Sequence, residues 1–393
     1  MILVELTHTA HTQAATGIQQ VCRNLFSELG KRGEVRAIVH DPWQSSWRKA
    51  NVTEIERLRP DGGGVARRKG EAWPFSAKLR GRLRMLAGIK GPLPKEASCV
   101  LMPEFVMDRC LSRLPELKNS LPEKTPVVAV FHDAIALEMP QYSAKATLKR
   151  FPRYLSALAK MDAVAAVSEF SKSQLLKFWK NHGIGDFPPV SVIPLGIAKP
   201  EEAETERKND IPNVLCVSTL EPRKNHLALL DAAETLWNEG MVFRLDLIGM
   251  PHRELGGKIV ERIAGLRECG FLLFHRGAVD DKKLKEAYRG CDFTVYPSLM
   301  EGFGLPVVES LAYKKPCVCT ICGALDEVSR GGGCLRLPSP DAIAIAEGLR
   351  EMLDPARRGE LAVEAASRPV RTWADYARDI LAFAKDAVDR KRH

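Results

Sequence analysis

Strand-forming and helix-forming runs alternate along this 393-residue chain, stop once, and start again. That double alternation restricts the fold more than any other feature. The first series predicts strands at Ile2–Leu6, Val35–His40, Cys99–Met102, Val127–Phe131, Ala163–Val167 and Val190–Ile193. Between them lie helical patterns, clearest in 17–33, where Ile18, Val21, Cys22, Leu25, Phe26 and Leu29 make a stripe of 3.6-residue period. Residues 198–211 are polar and aperiodic, and read as a linker. The second series predicts strands near 214–218, 243–248, 272–274, 293–296, 317–320 and 334–337, again with helices between. Parallel strands need helical crossovers, so each half reads as a doubly wound α/β sheet. The expected division is 1–198, 205–370 and a closing helix over 371–393, amphipathic through Tyr376, Ile380, Leu381, Phe383, Ala384 and Val388.

A length of 393 residues and an apolar share of 45% support two cored domains. The start, Met1-Ile-Leu-Val-Glu-Leu6, reads as a strand rather than a leader, and no apolar run is long enough to span a bilayer. A cytoplasmic location is the expectation. Ten cysteines fit a reducing compartment. Cys317-x-Cys319-x-x-Cys322 offers three closely spaced thiols, but alternation in a strand puts Cys317 and Cys319 on one face and no fourth ligand follows, so no metal site is expected.

The net charge is +9, and Arg67, Arg68, Lys69, Lys78, Arg80, Arg82, Arg84, Lys90 and Lys95 crowd residues 66–95 with Trp73, Phe75, Leu79, Leu83, Met85 and Leu86 between them. Such a stretch suits the surface of an anionic membrane, here the inner face of the plasma membrane, or simply a solvated loop. No nucleic-acid motif accompanies it, and no nucleic-acid partner is expected.

Chemistry gathers at strand ends. Phe293–Tyr296 is followed by a turn, Pro297 to Gly304, and then by a helix with Pro306 expected at its first position. Unpaired N–H groups at such a helix start suit phosphate oxygens. Glu301 on the turn and Glu309 in the helix cannot share one helical face, but both can look beyond the strand's carboxyl end. Glu221-Pro-Arg223-Lys224-Asn225-His226 likewise follows a strand and opens a helix. Cations there oppose the helix dipole, which favours a role in holding an anion. His132-Asp133 ends the strand 127–131, and Gly17 lies at the turn after the first strand, where backbone can approach a ligand closely.

Glu301-Gly-Phe-Gly-Leu-Pro-x-x-Glu309 resembles the Glu-x7-Glu signature of the family 4 retaining glycosyltransferases, enzymes of two-domain GT-B fold that use nucleotide-sugar donors. The resemblance is strong over 218–309, moderate at Gly17 and His132, and poor over about 42–98. It implies two Rossmann-like domains facing a cleft. It also implies that Arg223, Lys224 and the helix start at Gly304, Leu305 and Pro306 hold the donor diphosphate. Glu309 would hold the ribose diol and Glu301 the donor sugar. His132 would reach the sugar, and not as a general base, with Asp133 orienting it or another group. Backbone near Gly277 and Val279 would read the nucleobase. Segments 168–171 and 194–196 would flank the cleft, and the last helix would cross back to the first domain.

The implied reaction transfers a hexosyl group, with GDP-mannose the favoured donor, to a sugar hydroxyl of a lipid-linked or growing surface polysaccharide. Charge neutralisation by Arg223 and Lys224 would make a metal unnecessary, and no cofactor is expected beyond the nucleotide-sugar substrate. The alternatives are a GT-B nucleotide-sugar epimerase, against which the Arg223-Lys224 and Glu301/Glu309 combination speaks, and a non-catalytic nucleotide-sugar-binding protein.

Overall fold

A computed structural model describes residues 1–12, 17–33, 35–43, 46–63, 75–87, 93, 96–104, 108–201 and 210–392. The chain divides into two compact units. One comprises 1–137, 144–196 and 372–393, and the other 138–143 and 197–371. Most of the expected linker, 202–209, lies outside the described residues.

The first unit is built on seven strands: β1 (Ile2–Glu5), β2 (Val35–Asp41), β3 (Ser46–Lys49), β4 (Cys99–Met102), β5 (Val127–Phe131), β6 (Ala163–Ala166) and β7 (Val190–Val192). Their order is β3-β2-β1-β4-β5-β6-β7. All neighbours are parallel except β2 and β3. The central strands are buried along their whole length, as strands covered on both faces must be. β3 and the short helix Val52–Arg57 fall where the alternation predicted nothing. Asn51 starts that helix with a capping box, its side chain accepting from the Glu54 N–H while Glu54 accepts from the Asn51 N–H.

The last helix, Trp373–Arg392, belongs to this first unit. It packs on helix Gly17–Gly30 and on β4 and β6, burying Trp373, Tyr376, Ala377, Ile380, Phe383, Ala384 and Ala387. Thr372 and Asp375 cap its start reciprocally, and Lys391 reaches Asp162 at 2.7 Å near its end. The return to the first unit expected from the sequence is present.

The second unit holds six strands, β8 (Asn213–Val217), β9 (Arg244–Ile248), β10 (Leu273–His275), β11 (Phe293–Tyr296), β12 (Cys317–Thr320) and β13 (Cys334–Leu337), in the order β10-β9-β8-β11-β12-β13 and all parallel. Its two faces pack different clusters. Val318 joins Val214, Leu229, Leu245 and Leu349, whereas Cys317, Cys319 and Cys334 face Tyr296, Val307 and Leu311. The cysteines therefore act as small apolar side chains on one face, as alternation required. Two helices, Leu325–Ser329 and Pro355–Ala366, fall outside the predicted series, although the second carries a legible start, with Pro355 in its first turn and Asp354 accepting from the Ala356 N–H.

Candidate functional site

In the second unit the strand order reverses between β8 and β11. The connections run outward to β9 and β10 on one side and to β12 and β13 on the other. Open α/β sheets bind ligands beyond the carboxyl ends of the strands at such a reversal. The segments that lie there are 218–225 after β8 and 297–304 after β11.

After β8 the chain makes one 3₁₀ turn, Pro222–Lys224, then Asn225 adopts φ +61° and helix His226–Asn238 begins. This sharp entry turns Arg223 and Lys224 toward the loop after β11. The two segments are tied by the Leu299 N–H, which donates to the Arg223 carbonyl at 2.9 Å. Arg223 in turn donates to the Met300 carbonyl at 2.7 Å.

Glu301 is the meeting point. Its Oε1 accepts from Lys224 Nζ at 2.5 Å, lies 3.0 Å from Arg223 Nη1, and accepts from the Tyr296 hydroxyl at 3.1 Å. Lys224 also donates to the Tyr296 oxygen at 2.5 Å, and Arg223 pairs with Glu221 at 2.7 Å. Burial alone would push the Glu301 carboxyl up, but the Arg223 and Lys224 charges beside it hold it at about 2. Burial pulls Lys224 below its ordinary value, opposed by Glu301. The result is a fixed, partly buried cation pair held on Glu301 Oε1, with Glu221 pairing Arg223 from the other side.

Gly304 then takes φ +104°, and a Cβ there would stand 2.7 Å from Leu325 Cδ2, so only glycine fits. The helix that follows is Leu305–Ala312, with Leu305 at its first position and Pro306 at its second. The expectation for Pro306 is thus one residue off, because the left-handed Gly304 lets Leu305 enter the helix directly. No side chain caps this helix start. Farther along, Glu309 is half-buried, and its Oε2 accepts from the Tyr288 hydroxyl at 2.9 Å. Burial pushes the Glu309 carboxyl up to about 7, with Tyr288 acting against the rise and Asp281 adding to it.

Gly277 also has positive φ, and its carbonyl accepts from the Gly249 N–H at 2.8 Å. Val279 packs against Leu215, Ile248, Tyr288 and Cys291. Both residues therefore hold the edge of the sheet together, whatever else their backbone contacts.

In the first unit, His132 follows β5 and is buried. Its Nε2 lies 2.8 Å from the Pro103 carbonyl, which can only accept, so Nε2 carries the proton. Burial lowers the basicity of the ring, and a neutral His132 presents Nδ1 as an acceptor. Asp133 takes the Ile135 N–H at 3.1 Å, and the Pro103 carbonyl is what orients the His132 ring. Ser171, whose helix is capped by Ser168, donates to the His132 carbonyl at 2.7 Å. Gly17 opens helix Gly17–Gly30, while the loop before it, 13–16, lies outside the described residues.

The strand order of this unit reverses between β1 and β4, and there the sequence reading missed a buried pair of carboxylates. Glu5 accepts from the Thr7 N–H at 2.9 Å and from the Thr7 hydroxyl. Glu104 accepts from the His8 and Thr9 N–H groups at 2.6 and 3.0 Å and from the Thr9 hydroxyl at 2.5 Å. Burial and the neighbouring Glu5 push the Glu104 carboxyl well up. The signal available was an acidic residue inside the apolar run Ile2–Leu6.

Residues 198–367 match the family model described as glycosyl transferases group 1. The serotype-specific mannosyltransferase WbdA of Escherichia coli is 27% identical over 342 residues, which are 81% of this chain and 38% of that protein. O-antigen chain mannosyltransferase B of the same organism is 28% identical over 235 residues, 55% of this chain and 59% of that one. The chain thus spans 38% of the length of the first of these curated relatives. Among solved structures, sucrose-phosphate synthase from Thermosynechococcus elongatus superposes with a TM-score of 0.69 at 18% identity, covering 98% of both chains. HepE from Anabaena, solved with UDP and glucose, superposes with a TM-score of 0.68 at 14% identity, covering 98% of this chain and 99% of that one. At these identities the likeness is one of fold, and it is the GT-B plan expected from the sequence. The resemblance to the family 4 glycosyltransferases is borne out as well.

Proposed function

From the premise that residues 198–367 are a glycosyl transferases group 1 domain, we propose that the chain moves a hexosyl group from a nucleoside diphosphate sugar to a glycan hydroxyl. The observation that carries this reading is the cation pair Arg223–Lys224 fixed on Glu301 beside the uncapped helix start at Gly304. A diphosphate leaving group gains negative charge as the glycosidic bond breaks. Preorganised cations and helix N–H groups stabilise that charge without rearranging at the moment of reaction. On this reading Arg223, Lys224 and the N–H groups near Leu305 hold the diphosphate, and Glu309 takes the ribose diol. Glu301 both orients the cations and accepts from donor sugar hydroxyls. In the first unit, His132 Nδ1 accepts a hydrogen bond from a sugar hydroxyl. The reaction proceeds with retention, the departing phosphate taking the acceptor's proton, and the two cations serve where other enzymes use a metal.

Mannose as the sugar and a surface polysaccharide as the acceptor draw support from the mannosyltransferases among the relatives. A place for such an acceptor at the inner membrane face draws support from helix Phe75–Leu86, which exposes Leu79, Leu83 and Leu86 at helical spacing beside Lys78 and Arg82. Most of the remaining basic stretch 66–95 lies outside the described residues. Among the described residues no helix is long and apolar enough to cross a membrane. Sedimentation with anionic liposomes that weakens as salt rises is the expected behaviour, and no sedimentation at low salt would remove the membrane contact.

The decisive experiment offers the native chain GDP-, UDP- and dTDP-sugars and follows thermal stabilisation and slow release of the diphosphate. One nucleotide should both stabilise and turn over. Stabilisation without release, in the presence of glycan acceptors, would leave a binding protein and refute the transferase.

A further inference from the structure

Tyr288 sits near the end of helix Asp281–Gly290 with almost none of its surface exposed, and its ring stacks on Tyr313 with centroids 5.1 Å apart and planes 8° from parallel. Its hydroxyl has one partner of note, Glu309 Oε2 at 2.9 Å. Glu309 lies one turn beyond the helix start at Gly304. A glutamate loses substantial rotamer freedom when it is fixed, and here the stacked phenol supplies the fixing contact. With Oε2 engaged, the direction of Oε1 is set by the same bond.

We infer that Tyr288 is a positioning residue, which fixes the Glu309 carboxylate so that its other oxygen meets the vicinal diol of a ribonucleotide. The inference rests on the nucleotide-sugar reading above. It goes further in naming a tyrosine outside the recognised motif as the group that fixes this carboxylate. The alternative is that the hydroxyl only satisfies a buried polar group, with no bearing on ligand.

Phenylalanine at 288 keeps the ring and its stack on Tyr313 while removing the donor. The test measures, by calorimetry, the affinity of the native chain, Tyr288→Phe and Glu309→Gln for GDP or UDP, whichever binds more tightly, and for its 2′,3′-dideoxy analogue. The native chain should prefer the ribonucleotide. Tyr288→Phe should weaken the ribonucleotide about fivefold, the effect of roughly one hydrogen bond, and leave the dideoxy analogue unchanged. Glu309→Gln should abolish the preference. Equal weakening of both ligands in Tyr288→Phe, or no weakening of either, would overturn the positioning role. A native chain that binds both nucleotides equally would overturn it too, while leaving the diphosphate site standing. No binding of GDP, UDP or dTDP by the native chain would refute the nucleotide site and this inference with it.

Discussion

The two sheets reverse their strand order in the same way, yet the residues at the two reversals have opposite character. Beyond β1 and β4, the carboxylates Glu5 and Glu104 are buried and consumed by N–H and hydroxyl groups of Thr7, His8 and Thr9, all on one short helix. Beyond β8 and β11, Arg223 and Lys224 meet on Glu301 Oε1, with Glu221 also on Arg223, and the neighbouring helix start has no side-chain cap. The first arrangement satisfies itself and stiffens its loop. The second gathers two cations, held by carboxylates, beside an uncapped helix start. Architecture alone therefore does not decide what a reversal binds; on the proposed reading, the positive charge at the second reversal is what suits it to a phosphate.

Arg223→Ala should produce the largest effect. Transfer measured as kcat/KM should fall roughly 10²–10³-fold, as when one preorganised donor to a developing charge is lost. The melting temperature should move by only about 2–4 °C, since Lys224 remains to pair Glu301. Unchanged turnover would erase the distinction between the two reversals. Glu104→Ala should do the converse. It leaves the Thr9 hydroxyl and two N–H groups without their acceptor and should cost about 2–4 kcal/mol in urea unfolding, with nucleotide affinity preserved.

The smallest effect concerns pH. Glu309 has its carboxyl raised to about 7, so the proton is gained as pH falls through neutrality. A diol needs the ionised form as acceptor. Nucleotide affinity should therefore drop about tenfold between pH 8 and pH 6, following the ionised fraction, and Glu309→Gln should flatten the profile. A flat profile in the native chain would detach Glu309 from the ligand.

What was legible in the sequence was local. Arg223, Lys224, Glu301, Gly304 and Glu309 stand in short contiguous segments at strand ends, where glycine, proline and charge have positional meaning. The alternation of Cys317, Val318 and Cys319 predicted their opposite faces correctly. What was missed depends on distance along the chain. Glu104 meets Thr9 across 95 residues and Tyr288 meets Glu309 across 21, and no periodicity encodes such pairings. The last helix shows the same limit. Its apolar stripe was readable, but its dock on helix Gly17–Gly30 is a tertiary fact. Helix Pro355–Ala366 is different, since its Asp354-Pro355 start is a local signal present in the sequence.

Calorimetric titration of a nucleoside diphosphate and its parent nucleoside, against the native chain and an Arg223→Ala/Lys224→Ala double variant, tests the central claim most directly. The native chain should bind the diphosphate at least about 100-fold more tightly than the nucleoside, roughly 3 kcal/mol. The double variant should bring the two to a common, weak affinity. Equal affinities in the native chain, or undiminished diphosphate binding in the double variant, would contradict it.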